Sequence, residues 1–104
     1  MNESDVFRAL ADPTRRAVFE KLAAGSRNAT ELRVGLEISQ PAMSQHLAVL
    51  RQAGLIEEAR QGRYVNYSVS PQGLVPLQDW VVRYSRFWPD RIGKLQDLLK
   101  EMDQ

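Results

Sequence analysis

Cysteine is absent from this chain of 104 residues, and histidine occurs once, as His46. Without thiols there can be no disulfide, no thiolate metal site and no cysteine nucleophile. A lone imidazole has no partner ligands for a metal ion, so none is expected. A glycine-rich phosphate loop is also missing. Glu57 and Glu58 are neighbours in a strand-like run, so they point to opposite faces and cannot share acid–base work. These absences exclude the common routes to enzyme chemistry, and no cofactor is expected. No apolar run approaches the ~20 residues of a membrane span. The opening Met1-Asn2-Glu3-Ser4-Asp5 has neither the basic cluster nor the apolar stretch of a secretory signal. The expectation is a cytoplasmic protein with no membrane partner.

Excess charge is lacking too: 14 Lys and Arg stand against 13 Asp and Glu, for a net charge of +1. A dedicated nucleic-acid binder is often more basic. Position matters more than the sum, because Arg15, Arg16, Arg51, Arg60 and Arg63 all fall in the first two-thirds. The chain has no internal repeat and no linker, and its length suits one domain.

Local signals give the element order. Val6, Phe7 and Leu10 are at helical spacing in a first helix from about Ser4 to Ala11. Asp12-Pro13 starts a second, with Asp as N-cap and Pro where its missing N–H costs nothing; Ala17, Val18 and Leu22 face inward. Asn28 and Glu31 form a capping box for a third. Ser39 caps a fourth helix, and with Pro41 at its second position the Ser39 hydroxyl is expected to bond the Ala42 amide. After Gly54 the period changes to two. Ile56 to Arg60 and Arg63 to Val69 read as a β-hairpin turning at Gln61-Gly62. From Leu74 the helical period returns, and Pro89 marks a kink or a new start. The fold class is mainly α with a small β-hairpin, in the order α-α-α-α-β-β-α.

The fourth helix carries the most information. Met43, Leu47 and Leu50 make one side apolar, and the opposite side holds Gln40, Ser44 and Gln45. Gln can pair with the N6 and N7 edge of adenine, and Ser donates or accepts almost anywhere, so the face suits reading in a major groove. The plainer reading is an ordinary solvated helix face. Pro41 can make only an apolar base contact. Arg60, Arg63 and Tyr64 flank the hairpin turn, where they either hold phosphates or merely keep an exposed edge from pairing. Of Arg15 and Arg16, one can reach a phosphate while the other forms an internal salt bridge; the sequence leaves open which. His46 reads as a hydrogen-bonded residue beside the recognition face. Trp80, Tyr84, Phe87 and Trp88 form an aromatic stripe that suits a dimer seam, or alternatively a pocket for a small-molecule effector.

With Ala11-Asp12-Pro13-Thr14-Arg15-Arg16, Thr30-Glu31-Leu32, Ser39 to Leu50 and Ala53-Gly54-Leu55-Ile56 in place, the chain resembles the winged helix-turn-helix repressors of the ArsR/SmtB family. The resemblance implies a single winged-helix domain over 1–104 that binds double-stranded DNA as a homodimer on a pseudo-palindromic operator. It places Gln40, Pro41, Ser44 and Gln45 at or near the groove. It also implies that terminal helices 4–11 and 74–103 pair across a twofold axis, with Phe7 and Leu10 against the aromatic stripe and Arg83, Arg86, Arg91, Asp79 and Asp90 at its margins. Metal-sensing relatives carry thiolates in the third helix, where this chain has Arg33 and Gly35, or Asp, His and Glu on the terminal helix, where it has Asp79 but no histidine. The implied function is repression without metal sensing. The alternatives are a winged-helix adaptor or antirepressor and a small-molecule-gated repressor.

Overall fold

Every helix start that the sequence marks with a capping side chain is used in the structure. The computed structural model describes residues 2–89 and 97–102. Asn2 opens α1 (Glu3–Ala11), accepting from the Asp5 amide at 3.0 Å while the Asp5 carboxylate accepts from Asn2 N at 3.5 Å. This capping box sets the start at Glu3, one residue before the expected Ser4. Asp12 opens α2 (Pro13–Ala24), its Oδ1 3.0 Å from the Arg15 amide. Asn28 and Glu31 cap each other's amides at 2.9 and 3.0 Å to open α3 (Ala29–Arg33). At α4 (Gln40–Gln52) the Ser39 hydroxyl accepts from the Ala42 amide at 3.2 Å, passing over Pro41 as its missing donor requires.

The end of α4 is as well defined as its start. The amides of Leu55 and Gly54 return to the carbonyls of Leu50 and Arg51, both at 3.0 Å. This double closure needs a left-handed residue, and Gly54 supplies it with φ 78°. The core lies between the four helices and the base of the sheet, and Val6, Val18, Leu32, Met43, Leu50 and Leu55 are its largest fully buried members. Leu22 is buried as expected, whereas Ala17 is only half-buried and Phe19 packs against the core in its place.

Three strands form the sheet, in the order β1-β3-β2. The hairpin of β2 (Ile56–Gln61) and β3 (Tyr64–Val69) runs in register from Ile56↔Val69 to Gln61↔Tyr64. Its turn is therefore Gly62-Arg63 rather than the expected Gln61-Gly62, with Gly62 at φ 61° in the first turn position. The third strand, β1 (Arg27–Asn28), pairs Arg27↔Tyr67 and Asn28↔Asn66. It adds to the expected two-strand hairpin, and two residues abutting a helix cap show no periodicity that could announce it.

The terminal helix is shorter than the expected 74–103. Helix α5 (Val75–Arg83) ends at Arg83, a 3-10 turn follows at Ser85–Phe87, and residues 97–102 are again helical. Trp88 is extended, at φ −71° and ψ 144°. That is the conformation the residue before proline favours, so Pro89 cannot sit inside one continuous helix. Among the described residues no helix is long and apolar enough to cross a membrane.

Candidate nucleic-acid interface

Helix α4 divides cleanly by burial. Met43, Leu47 and Leu50 are buried, while Gln40, Pro41, Ser44 and Gln45 are all exposed. Its 13 residues span ~20 Å at 1.5 Å per residue, enough to lie along a major groove ~12 Å wide. The connection that precedes it is tied from two sides. Arg33 Nε donates to the Ile38 carbonyl at 3.2 Å, and the Lys21 ammonium donates to the carbonyls of Leu32, at 3.4 Å, and Val34. The exposed polar face is thus presented by a helix fixed at both ends.

Arg60, Arg63 and Tyr64 are exposed at the far end of the hairpin, with Arg63 in the turn itself. Beyond Ile56, all of β2 is exposed. The hairpin is held nearer its base. Arg51, in the last turn of α4, pairs with Glu58 at 2.8 Å, and on the other edge Ser26 Oγ donates to the Tyr67 carbonyl at 2.9 Å. Asn66 Nδ2 in turn donates to Ser26 Oγ at 2.6 Å. Burial, and secondarily the Glu58 carboxylate, push the Tyr67 phenol above its usual range, with Arg51 opposing. Sequence reasoning misses the pairing of Arg51 with Glu58, although their positions either side of a glycine turn are a usable signal.

Among the described residues neither Arg15 nor Arg16 makes the internal salt bridge expected of one of them, because both donate to backbone carbonyls instead. Arg15 donates to the carbonyls of Ala9 at 2.6 Å and Arg8 at 3.1 Å, and Arg16 donates to Leu10 at 3.1 Å. Both guanidinium groups cap the C-terminal end of α1, where the helix dipole favours a cation. Arg15 is half-buried and commits two of its five donors there, whereas Arg16 is exposed and commits one. The hydrogen bond expected for His46 is not found at Nδ1, which is buried and has no partner among the described residues. Those residues also contain no group of three or more His, Cys, Asp or Glu able to hold a metal ion.

The aromatic stripe forms within one chain. Phe7 of α1 meets Trp80 of α5 edge-on, centroids 5.3 Å apart, and Trp80 leans on Tyr84 at 5.0 Å. The stripe nevertheless stays open on its outer side, with Phe7 38%, Trp80 38% and Tyr84 40% exposed. Helix α5 has no buried residue at all, and Phe87 is 69% exposed with the Arg86 guanidinium 4.7 Å above its ring. Trp88 is half-buried, and Leu10 packs against the core. Arg83 pairs with Glu3 of α1 at 3.7 Å rather than with Asp79. The expected margin residues Asp90 and Arg91 lie outside the described residues.

Comparison with known proteins bears on this arrangement. Residues 10–59 match a helix-turn-helix domain family. The chain is 33% identical over 81 residues to the transcriptional repressor SdpR of Bacillus subtilis (strain 168), covering 78% of this chain and 90% of that protein. It is 40% identical over 99 residues to the arsenical resistance operon repressor of Escherichia coli (strain K12), covering 93% of this chain and 81% of that one. The crystal structure of an ArsR family transcriptional regulator superposes with a TM-score of 0.75 at 29% identity, over 82% of this chain and 93% of the other.

Proposed function

The chain belongs to the ArsR family of winged helix-turn-helix transcriptional repressors, and we propose that it acts as a homodimer on a pseudo-palindromic operator, without a metal signal. Family membership makes it a DNA-binding transcription regulator and not an enzyme. The two-sided character of α4 carries the proposed mode of reading: three apolar residues are sunk in the core, and Gln40, Pro41, Ser44 and Gln45 stand free on the opposite face. Gln40, Ser44 and Gln45 read base edges, and Pro41 adds an apolar contact to a thymine methyl. Arg60, Arg63 and Tyr64 hold backbone phosphates or enter the minor groove beside them, and so set register. Arg16 reaches a phosphate with the donors left after capping α1. Arg15 is the structural member of that pair.

Residues 1–104 act as one winged-helix domain, and the dimer forms through α1 and the segment from α5 onward. The open aromatic face supports this, because an apolar helix without a buried residue is incomplete in a monomer. A twofold axis would set two copies of α4 in successive major grooves ~34 Å apart. A dimer seated near a promoter would exclude polymerase. Arg33 and Gly35, standing where a thiolate pair would be needed, support a repressor released by something other than a metal.

The test is selection of duplexes from a random library, followed by fluorescence anisotropy of the enriched and a scrambled duplex at low and physiological salt. Two protomers per enriched duplex and discrimination that survives physiological salt are expected. Equal, salt-fragile binding to both duplexes would refute the operator reading and favour a protein partner instead.

A further inference from the structure

We infer that Arg51 and Glu58 are a positioning pair that sets the angle of the hairpin to the recognition helix, and thereby controls whether the wing arginines reach DNA. The inference rests on the proposed wing contact and adds the element that aims it.

The restraints on the hairpin converge on the rung Glu58↔Tyr67. From α4, Arg51 Nη1 donates to the Glu58 carboxylate at 2.8 Å. From the other edge, β1 pairs Arg27 with Tyr67, and Ser26 Oγ holds the Tyr67 carbonyl at 2.9 Å. The β1 side also reaches Asn66, through Asn28↔Asn66 and the Asn66–Ser26 bond at 2.6 Å. On the β2 side nothing else among the described hydrogen bonds and ion pairs ties a side chain beyond Ile56 to the helices. Besides the packing of Ile56, Tyr67 and Val69 on the core at its base, the hairpin is therefore held at one edge by backbone pairing and at the other by a single ion pair.

Glu58 is three residues short of Gln61, so the tip lies ~10 Å beyond the clamped rung at about 3.3 Å per residue. A tilt of roughly 10° there displaces the tip by ~2 Å, more than the ~0.5 Å spread of good hydrogen-bond distances. Arg63 sits at that tip. One end of the pair belongs to α4 itself, so it references the wing to the helix that reads bases. Its members are 46% and 40% exposed, so it adds little to folding stability. Its effect is to be sought in DNA binding.

The competing explanation is that Arg51 serves DNA directly and Glu58 merely occupies it. Removing Glu58 deletes a negative charge near DNA, which on electrostatics alone tightens binding. A positioning pair predicts the opposite. The duplex enriched by the wild-type protein is titrated across a salt series with Glu58→Ala, Arg63→Ala, their double variant, and the swap Arg51→Glu/Glu58→Arg. Glu58→Ala is expected to raise Kd by about two- to fivefold. It should also lower the salt slope by about 0.9 for each phosphate that the wing no longer neutralises. On the Arg63→Ala background its effect should shrink to what Arg60 and Tyr64 still contribute, and the swap should return Kd to within about twofold of wild type. Thermal melts should hardly move for any of the four. Tighter binding with a steeper slope, full additivity with Arg63→Ala, or a swap that stays defective would each overturn the inference. A weakened Arg63→Ala beside a silent Glu58→Ala would overturn it while leaving the wing contact standing. A silent Arg63→Ala would remove the Arg63 contact on which the coupling is read, and the inference with it.

Discussion

Gly73 is where the end of α4 touches the entry to α5, and replacing it by alanine should be costly. A Cβ built on Gly73 would lie 2.4 Å from the Gly54 carbonyl oxygen and 2.8 Å from Leu55 Cα. Both are backbone atoms, so no rotamer change relieves the overlap, and contacts of this type ordinarily sit ~3.5 Å apart. Moving the Gly54–Leu55 side strains the closure of α4 and the bond from Ser70 N to the Leu55 carbonyl at 2.9 Å. It also shifts Leu55, which is fully buried. Moving the other side displaces the turn in which Gly73 N bonds the Ser70 carbonyl at 3.0 Å, and with it the start of α5. Overpacking costs about 1–3 kcal/mol, and one strained backbone hydrogen bond adds about 1 kcal/mol. The sum of about 2–4 kcal/mol is a large share of a stability on the order of 5–15 kcal/mol. In a domain of this size it lowers Tm by roughly 10–25 °C. Urea titration by circular dichroism, with heat melts alongside, measures it. Gly25→Ala is the control, since a Cβ there meets nothing within 4 Å, and it should stay within about 0.5 kcal/mol of wild type. If Gly73→Ala melted like Gly25→Ala, the close approach would be soft and the reasoning from it wrong.

Three further outcomes are expected. Gln45→Ala should lose about 1–3 kcal/mol of discrimination between enriched and scrambled duplex if its contact is bidentate; equal weakening on both would show in anisotropy that Gln45 does not read bases. Tyr84→Glu should shift sedimentation from dimer to monomer, because a carboxylate would enter an apolar seam; an unchanged dimer in a variant with a normal melt would count against the seam. Asp12 has its carboxyl held below the usual range, first by the Arg15 amide it accepts from, with burial opposing and His46 assisting. A depressed folded pKa contributes stability that is present above the unfolded value of about 3.8 and is lost as pH falls through the folded value. The wild type should therefore lose Tm relative to Asp12→Asn as pH drops below about 4, and parallel melting curves would contradict that assignment.

What can be read from the sequence is what short-range chemistry decides. Asp12-Pro13, Asn28 with Glu31, Ser39 across Pro41, and Gly54 each act within three or four residues, so their types fix helix ends wherever the helices go. The exposed row of α4 is equally legible, since helical period sorts Met43, Leu47 and Leu50 from Gln40, Ser44 and Gln45 without knowledge of partners. The remainder depends on how elements meet. β1 is two residues long and exists because β3 runs past it, which no local pattern records. The hairpin turn shifts by one residue because register is settled along the whole β2–β3 ladder. The carbonyl acceptors of Arg15 and Arg16 are not legible, because they lie on another helix and are brought near only when α1 folds back on α2. The aromatic spacing in α5 reads as a seam between chains, yet Phe7 and Trp80 close the first contact within one chain and leave only the outer side for a partner.

The near-neutral charge also finds its explanation in these contacts. Arg15 and Arg16 close α1, Lys21 closes α3, and Arg33 holds the approach to α4, all by donating to backbone carbonyls. Arg51 and Arg83 are spent on Glu58 and Glu3. These cations serve the scaffold, while Arg60 and Arg63 stand exposed on the wing with no side-chain bond among the described residues. Non-specific attraction to DNA scales with the number of phosphates neutralised, so a chain built this way holds random duplex weakly. On the proposed reading its affinity would come from base contacts along α4 and from engaging two half-sites at once, since a second linked contact multiplies the first. Low net charge and a paired recognition surface therefore belong together. A monomer with this charge distribution would have few phosphate contacts, and the proposed pairing through the open aromatic face of α5 would supply the second half.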